Sequence, residues 1–192
     1  FFYLGIGFLF IVSLLAQCLR FPPDEWSSAN VITHSSATKS NPTIELSRRD
    51  MLRTRSFYAL WATYTIGCLA GLMAIGIASP VGIEVAKLEP TTAALAISLF
   101  AIFNGLGRPL FGIIADKLGP KQTAMLSFAM IGGASLLLSG LEEGDTTLYL
   151  FAFCVLWLCL GGWLALAPTS TGIFFGKKHY AQNYGLIFTA YG

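Results

Sequence analysis

The sequence has 192 residues, of which 55% are hydrophobic and 11% are charged, with a net charge of +2. A soluble domain has about 25% charged residues, so these charges are too few to cover a water-soluble globule. The composition therefore excludes an ordinary soluble enzyme, a disordered tail and a nucleic-acid-binding domain with a basic face.

Long runs without Asp, Glu, Lys or Arg predict membrane-spanning helices. A spanning helix needs about 20 mostly apolar residues, and the runs lack the alternation of barrel strands. We predict an all-α, polytopic helical bundle with five full spans and the start of a sixth near residue 183. The full spans cover residues 1–20, 57–79, 91–114, 122–140 and 148–172. Because apolar runs stand at both ends of the sequence, we expect the chain to be a fragment of a longer membrane protein.

The basic residues fall in alternate connections between the predicted spans. Residues 20–55 carry six Lys or Arg, and Lys177 and Lys178 follow the fifth span, whereas residues 141–147 carry only acids. The positive-inside rule places the basic connections in the cytoplasm, with the plasma membrane as the expected location. The segment 21–56, rich in Ser, Thr, Asn and Pro at its centre, is predicted to be a flexible cytoplasmic linker. Its basic, amphipathic end, residues 48–55, is expected to lie on the anionic inner leaflet.

Arg108 is the one charge predicted near the middle of a span. Asp116, at the polar end of the same span, is eight residues away. At a rise of ~1.5 Å per residue that separation is ~12 Å, against a half-thickness of ~15 Å for the hydrocarbon core. At that depth the side chain cannot easily reach either surface, so snorkelling does not explain it. An arginine there costs about 2.5–3.5 kcal/mol on insertion scales.

The face of the helix around Arg108 is small and polar. Steps of three and four residues place Asn104 beside it, together with Ile97, Ala101, Gly112 and Ala115. No predicted span contains a carboxylate, so the guanidinium has no protein anion to pair with. We expect Arg108 and Asn104 to bind an anionic substrate. The alternative is a structural arginine bonded to backbone carbonyls.

Other motifs have more ordinary interpretations. Tyr64 and Trp163 lie within predicted spans, where aromatics usually pack or anchor the helix, and we include them as further candidates for the substrate site. The GxxxG spacings Gly67–Gly71 and Gly172–Gly176 predict close helix packing. The four cysteines have no CxxC spacing and are predicted to be buried thiols. Without HExxH or GxSxG motifs, we expect no catalytic residues, metal or cofactor.

The stretch GIIADKLGPK, residues 112–121, resembles the loop signature of the major facilitator superfamily, G-x-x-x-D-[RK]-x-G-[RK]-[RK]. The resemblance implies that residues 57–192 are the C-terminal six-helix half, truncated in its fifth helix, and that residues 1–20 are the last helix of the N-terminal half. It implies a role in conformational change for the motif residues Gly112, Asp116, Lys117, Gly119 and Lys121. We expect Asp116 to hold the inner end of its helix against a neighbouring helix through a charge-assisted bond. The alternative is a solvated charge at the helix end. Pro120 departs from the family's usual basic residue.

Within that superfamily, residues 104–112, NGLGRPLFG, are similar to the eighth helix of the oxalate/formate antiporter family, as are RTRSFYALW at 53–61 and the run from Ala181 to Gly192. This resemblance implies that Arg108 faces a central cavity and binds the substrate carboxylate. A lysine of the family's eleventh helix has no counterpart in Thr189-Ala190-Tyr191-Gly192, so a monocarboxylate is as good a candidate as oxalate.

Monocarboxylate transporters are the near relative. Their eighth helix has an aspartate four residues before an Arg-Pro pair, whereas here Asn104 precedes Arg108-Pro109. An amide cannot carry a titrating proton, so proton coupling by that route would fail.

The sequence thus predicts a secondary active transporter that moves a small organic anion across a membrane by alternating access. Its expected partners are the anion, the lipid bilayer and the missing N-terminal half of the same chain, with no nucleic acid. The alternative is a non-transporting polytopic protein, receptor-like or a scaffold, with a structural Arg108.

Overall fold

The computed structural model describes residues 45–192, so the predicted span 1–20, most of the linker and Cys18 lie outside the described residues. Every regular element in residues 45–192 is helical, which confirms the all-α class. The elements are α1 Arg48–Met51, α2 Arg55–Glu84, α3 Pro90–Leu118, α4 Pro120–Ser139, α5 Thr146–Phe175, α6 Tyr180–Phe188 and a final 3-10 turn Thr189–Tyr191. Helices α2 to α5 are long and apolar enough to cross a membrane, so four predicted spans are confirmed.

Each long helix begins at a residue suited to its first turn. Thr54 Oγ1 accepts a hydrogen bond from the Phe57 N–H at 3.3 Å before α2, and Asp145 Oδ1 accepts one from the Leu148 N–H at 3.0 Å before α5. Proline opens α3 and α4, where its missing N–H leaves no intrahelical bond unmade. These start signals place the first residue of each long helix one or two residues before the predicted span.

Helix α5 is the centre of the described bundle. It is apolar on all sides and carries more buried residues than any other described helix, and α2, α3 and α4 each pack on it more extensively than on one another. A helix that is hydrophobic all round belongs in the interior of a bundle. Pro168 lies inside α5 and Pro109 inside α3, and both helices continue through them.

Glycines bring α2 and α3 close to α5. In α2, a Cβ at Gly67 would overlap the Trp163 indole and one at Gly71 would overlap Leu160, so the predicted close packing at this GxxxG is confirmed. For the second GxxxG the prediction is wrong, because Gly176 has φ 87° and stands just after the end of α5. That conformation suits glycine and ends the helix.

The closest contact joins α3 and α5. A Cβ at Gly107 would strike the backbone carbonyl of Leu158, and one at Gly161 would strike the backbone carbonyl of Asn104. Since backbone atoms cannot move aside as a side chain can, the two helices approach each other only because both positions are glycine. This contact, which we call the α3–α5 seam, fixes the rotation of α3 and hence where Arg108 lies.

The connections gather alternately at the two ends of the bundle. At one end Ser56, Lys121 and Phe174, from α2, α4 and α5, line one cavity. At the other end the Gly144 N–H donates to Val85 O at 2.9 Å, and Lys87 Nζ lies 3.6 Å from Glu143 Oε2. This alternation is the arrangement that the charge pattern predicted.

Candidate functional site

Helix α3 presents three distinct faces. One is buried against the bundle and carries Ala93, Ala96, Phe100, Gly107 and Phe111. A second is exposed and consists of large apolar side chains, namely Leu95, Leu99, Ile102, Leu106, Leu110 and Ile113. The third is also open but small and polar, and carries Ala94, Ser98, Ala101, Asn104, Gly105, Arg108 and Gly112. A lipid-facing surface of a membrane helix is apolar, so the second face suits lipid and the third suits a water-filled cavity.

Arg108 is exposed at the middle of this third face, which we call the polar face of α3. A Cβ at Gly105 or Gly112, on either side of it, would meet no atom within 4 Å. In residues 45–192 the only salt bridge joins Lys87 and Glu143, so Arg108 pairs with no described carboxylate. Among the described residues, nothing fills the space next to Arg108 at these two glycines.

Asn104 lies one turn before Arg108 and is half-buried. Its Nδ2 donates a hydrogen bond to the backbone carbonyl of Trp157, in α5, at 3.2 Å. The contact is next to the α3–α5 seam, where Asn104 also supplies the carbonyl that faces Gly161. Asn104 thus anchors the helix that carries Arg108.

Tyr64 and Trp163 are brought together, but away from the polar face of α3. Their side chains are 0% and 1% exposed, and their ring centroids are 6.2 Å apart. Trp163 also packs on Phe128 of α4, with centroids 5.4 Å apart. The pair therefore lies where α5 meets α2 and α4, whereas Asn104 lies where α5 meets α3. Neither Tyr64 Oη nor Trp163 Nε1 has a hydrogen-bond partner in the described part of the chain.

Further aromatic residues, which were not predicted as site residues, lie between Tyr64 and the final turn. Tyr191 has its ring centroid 6.5 Å from that of Tyr64 and 5.5 Å from that of Phe188, on which it stacks. Trp61 Nε1 donates to Thr189 Oγ1 at 3.1 Å and so joins α2 to the final turn. The spacing Tyr184-Phe188-Tyr191 is a helical stripe that could have been found from the sequence.

The loop motif forms the tight connection between α3 and α4. Gly119 is its only non-helical residue, with φ 85° and ψ 160°, a conformation that strongly favours glycine. Pro120 is the first residue of α4, which gives a local reason for proline in place of the usual basic residue. Asp116, Lys117 and Lys121 are exposed. Asp116 shares a cavity of about 640 Å³ with Lys177, in the turn between α5 and α6, and with Tyr180, the first residue of α6.

The motif, the helical bundle and the comparison with known families agree. The model of the Major Facilitator Superfamily matches residues 1–192. The chain belongs to this superfamily. Together with the four spans, this makes it part of an integral, multi-pass membrane protein.

Three members of the superfamily or of related transporters are similar to the chain. The oxalate:formate antiporter of Oxalobacter formigenes is 24% identical over 99% of this chain and 43% of its own length. The uncharacterized MFS-type transporter YhjX of Escherichia coli is 28% identical over 74% of this chain and 35% of its own length. The riboflavin transporter RibZ of Clostridioides difficile is 29% identical over 66% of this chain and 29% of its own length. The chain thus spans less than half the length of each of these relatives.

Proposed function

We propose that the chain is the substrate-binding C-terminal part of a secondary transporter for small organic anions, in which Arg108 binds the substrate carboxylate. The observation that carries the proposal is the position of Arg108. It is the charge at the middle of a described span, it is exposed on the polar face of α3, and it has no described acid to neutralise it.

The chemistry of the two groups supports this assignment. A guanidinium presents a planar set of donors that matches a carboxylate with two parallel hydrogen bonds, and it keeps its charge at physiological pH. Both groups lose hydration when they meet inside a membrane protein, and only good geometry offsets that cost. The open positions at Gly105 and Gly112 leave an anion room to approach the guanidinium along the helix.

The relatives support transport, and one of them supports the substrate class. The Oxalobacter formigenes protein is named for oxalate and formate, both carboxylates. The riboflavin transporter shows that related chains serve other ligands. The choice of a carboxylate for this chain therefore depends chiefly on Arg108.

The remaining predicted residues have separate roles in the proposal. Asn104 orients Arg108 through its bond to α5, and Tyr64 and Trp163 offer unpaired donors to a substrate or to bound water. The motif residues Asp116 and Lys121 act at the cytoplasmic end as the two halves rock during alternating access. The protein is a carrier and not an enzyme, in the plasma membrane, with residues 57–192 in its C-terminal half.

The test uses the full-length protein in proteoliposomes and in detergent. Arg108→Lys keeps the charge but loses the two-pronged geometry, at a cost of about one charge-assisted hydrogen bond, ~1.5–3 kcal/mol. We expect at least a tenfold rise in the Kd for a labelled carboxylate such as formate, acetate or oxalate. Arg108→Gln should remove measurable binding. Arg53→Gln, an exposed arginine outside the spans, is the matched control and should bind as the wild type does.

A structural arginine would behave differently. In that case Arg108→Gln would lower the yield and the thermal midpoint of the purified protein, and the part that remained folded would bind normally. Folded Arg108→Gln protein with wild-type carboxylate affinity would contradict the proposal.

A further inference from the structure

Two residues of the predicted linker, Glu45 and Leu46, lie across the turn between α5 and α6. The Leu46 N–H donates to Phe175 O at 3.0 Å, and the Leu46 carbonyl accepts a bond from Asn183 Nδ2, also at 3.0 Å. Beside them Glu45 Oε2 accepts a hydrogen bond from the Lys178 N–H at 2.8 Å. We call this set of three hydrogen bonds the linker clasp.

The clasp meets groups that the two helices cannot satisfy themselves. The last four carbonyls of a helix have no intrahelical partner, and Leu46 supplies one for Phe175, the last residue of α5. Asn183, in the first turn of α6, is 0% exposed. A buried amide that loses its partner keeps the full cost of having been removed from water. The Asn183–Leu46 bond is therefore the part of the clasp that discriminates between the closed and the open arrangement.

The two ends of the clasp differ in strength. Glu45 and Lys178 are exposed, and their hydrogen bond competes with water. The exposed amines of Lys177 and Lys178 lie on the turn whose Lys178 N–H donates to Glu45, and their charges attract the Glu45 carboxylate. An exposed, charge-assisted contact beside a buried neutral one can open and re-form while α5 and α6 stay folded.

The position of α6 matters to the candidate site. Beyond Asn183, Ile187 of α6 is 0% exposed and Ala190 of the final turn is 4% exposed, both in the core shared with Tyr64 and Trp163. Its end brings Tyr191 to Tyr64. A contact that fixes the position of the start of α6 therefore also fixes the positions of the aromatic rings around the unpaired Tyr64 Oη and Trp163 Nε1.

We propose that Asn183 is a positioning residue, and that the linker clasp is a latch that returns the cytoplasmic end of α6 to one position in each transport cycle. The proposal rests on the transport function proposed above. It assigns to the linker, which joins the two halves, a direct hold on a helix of the second half.

The experiment compares three variants of the full-length protein by hydrogen exchange and by transport. Asn183→Leu keeps the volume but removes the donor. Glu45→Gln keeps an oxygen that accepts from the Lys178 N–H and removes only the charge. Gln182→Leu is the matched control, because Gln182 is the exposed neighbour of Asn183 on the same helix turn.

We expect Asn183→Leu to accelerate exchange of the Leu46 and Lys178 amides at least tenfold, since within residues 45–192 the hydrogen bonds of both amides belong to the clasp. The Kd for the carboxylate should stay within twofold of the wild type, while the maximal transport rate falls several-fold. Glu45→Gln should accelerate exchange less than Asn183→Leu does, and Gln182→Leu should change neither quantity. A thermal midpoint within a few degrees of the wild type separates this result from general loss of structure.

Two results would overturn the latch. One is unchanged exchange at Leu46 in Asn183→Leu, which would mean that the clasp does not hold the linker. The other is faster exchange with an unchanged maximal transport rate, which would make the clasp a passive fastening. The exchange measurement needs no substrate, so a wild-type protein that binds no carboxylate would refute the proposed substrate and leave the hold on α6 to be judged separately.

Discussion

Buried polar atoms in the described helices fall into two groups. Some are bonded to backbone carbonyls, such as Tyr149 Oη, which donates to Ala78 O at 2.8 Å. Others have no described partner, and these include Tyr64 Oη and Trp163 Nε1. Most buried polar atoms in proteins are hydrogen-bonded, so each exception calls for an explanation. Two of the exceptions belong to residues that the sequence analysis selected for the substrate site.

Tyr149, whose hydroxyl is paired, and Tyr64, whose hydroxyl is not, make a matched pair for testing whether the Tyr64 hydroxyl binds a ligand. Tyr149→Phe should destabilise the folded protein by about 1 kcal/mol, since it leaves the Ala78 carbonyl without its side-chain donor. Tyr64→Phe should leave the thermal midpoint unchanged or raise it, because no hydrogen bond to a described residue is lost. If the hydroxyl contacts the substrate directly or through water, Tyr64→Phe should raise the carboxylate Kd by roughly two- to tenfold.

The two measurements are made on the same preparations, with thermal unfolding for stability and equilibrium binding for Kd. Wild-type affinity in Tyr64→Phe would remove Tyr64 from the substrate site and leave its role as packing against Trp163.

For whole helices, the sequence predicted which segments are helical and which face of α3 is polar better than it predicted the contacts between helices. The spans could be predicted because a bilayer excludes charge over a fixed thickness, and the face of Arg108 because helical periodicity is local. Gly105 and Gly107 look alike in the sequence, yet only Gly107 meets another backbone. That difference depends on where α5 lies, which no local pattern contains. For the same reason, the sequence could not show that Tyr64 and Trp163 lie away from Arg108.

The α3–α5 seam leads to a stability prediction within one helix. Gly107→Ala places a methyl group against the Leu158 carbonyl, and forcing extra volume into close packing costs typically 1–3 kcal/mol. Gly105→Ala, two residues earlier, meets open space and gains up to about 1 kcal/mol from the better helix propensity of alanine. Thermal unfolding in detergent should show a lower midpoint for Gly107→Ala and an unchanged or higher one for Gly105→Ala. Equal midpoints would mean that α3 and α5 do not approach closely enough at Gly107 for a methyl group to strike the Leu158 carbonyl.

For the molecule as a whole, the alternation of loops is the property that sequence and structure share. The turn between α3 and α4 and the turn between α5 and α6 lie at one end of the bundle. The α2–α3 and α4–α5 connections lie at the other end, where Lys87 of the first pairs with Glu143 of the second. Which end faces the cytoplasm is a prediction from the positive-inside rule.

Cysteine labelling tests that orientation. In a background without the native cysteines, Lys121→Cys and Lys178→Cys should react with a membrane-impermeant thiol reagent only from the cytoplasmic side, because both side chains are exposed at the basic end. Glu142→Cys should react only from the outside. Labelling of Lys178→Cys and Glu142→Cys from the same side would contradict the four-span arrangement. Cys68, Cys154 and Cys159 are buried, as the sequence predicted, so replacing them should disturb little if volume is kept.

The central place of α5 also has a consequence for biosynthesis. Chains are made from the N-terminus at about 5–20 residues per second, so α2, α3 and α4 leave the ribosome before the helix on which each of them chiefly packs. Until Thr146–Phe175 follows, Asn104 has no Trp157 carbonyl to bind, and Gly107 of the seam faces lipid or the insertion machinery. The charge of Arg108 must therefore enter the bilayer before α3 can pack against α5. Full packing of these helices therefore waits for the most hydrophobic of the described spans, and a ribosome that stalls before α5 releases three helices without the one on which each of them packs most.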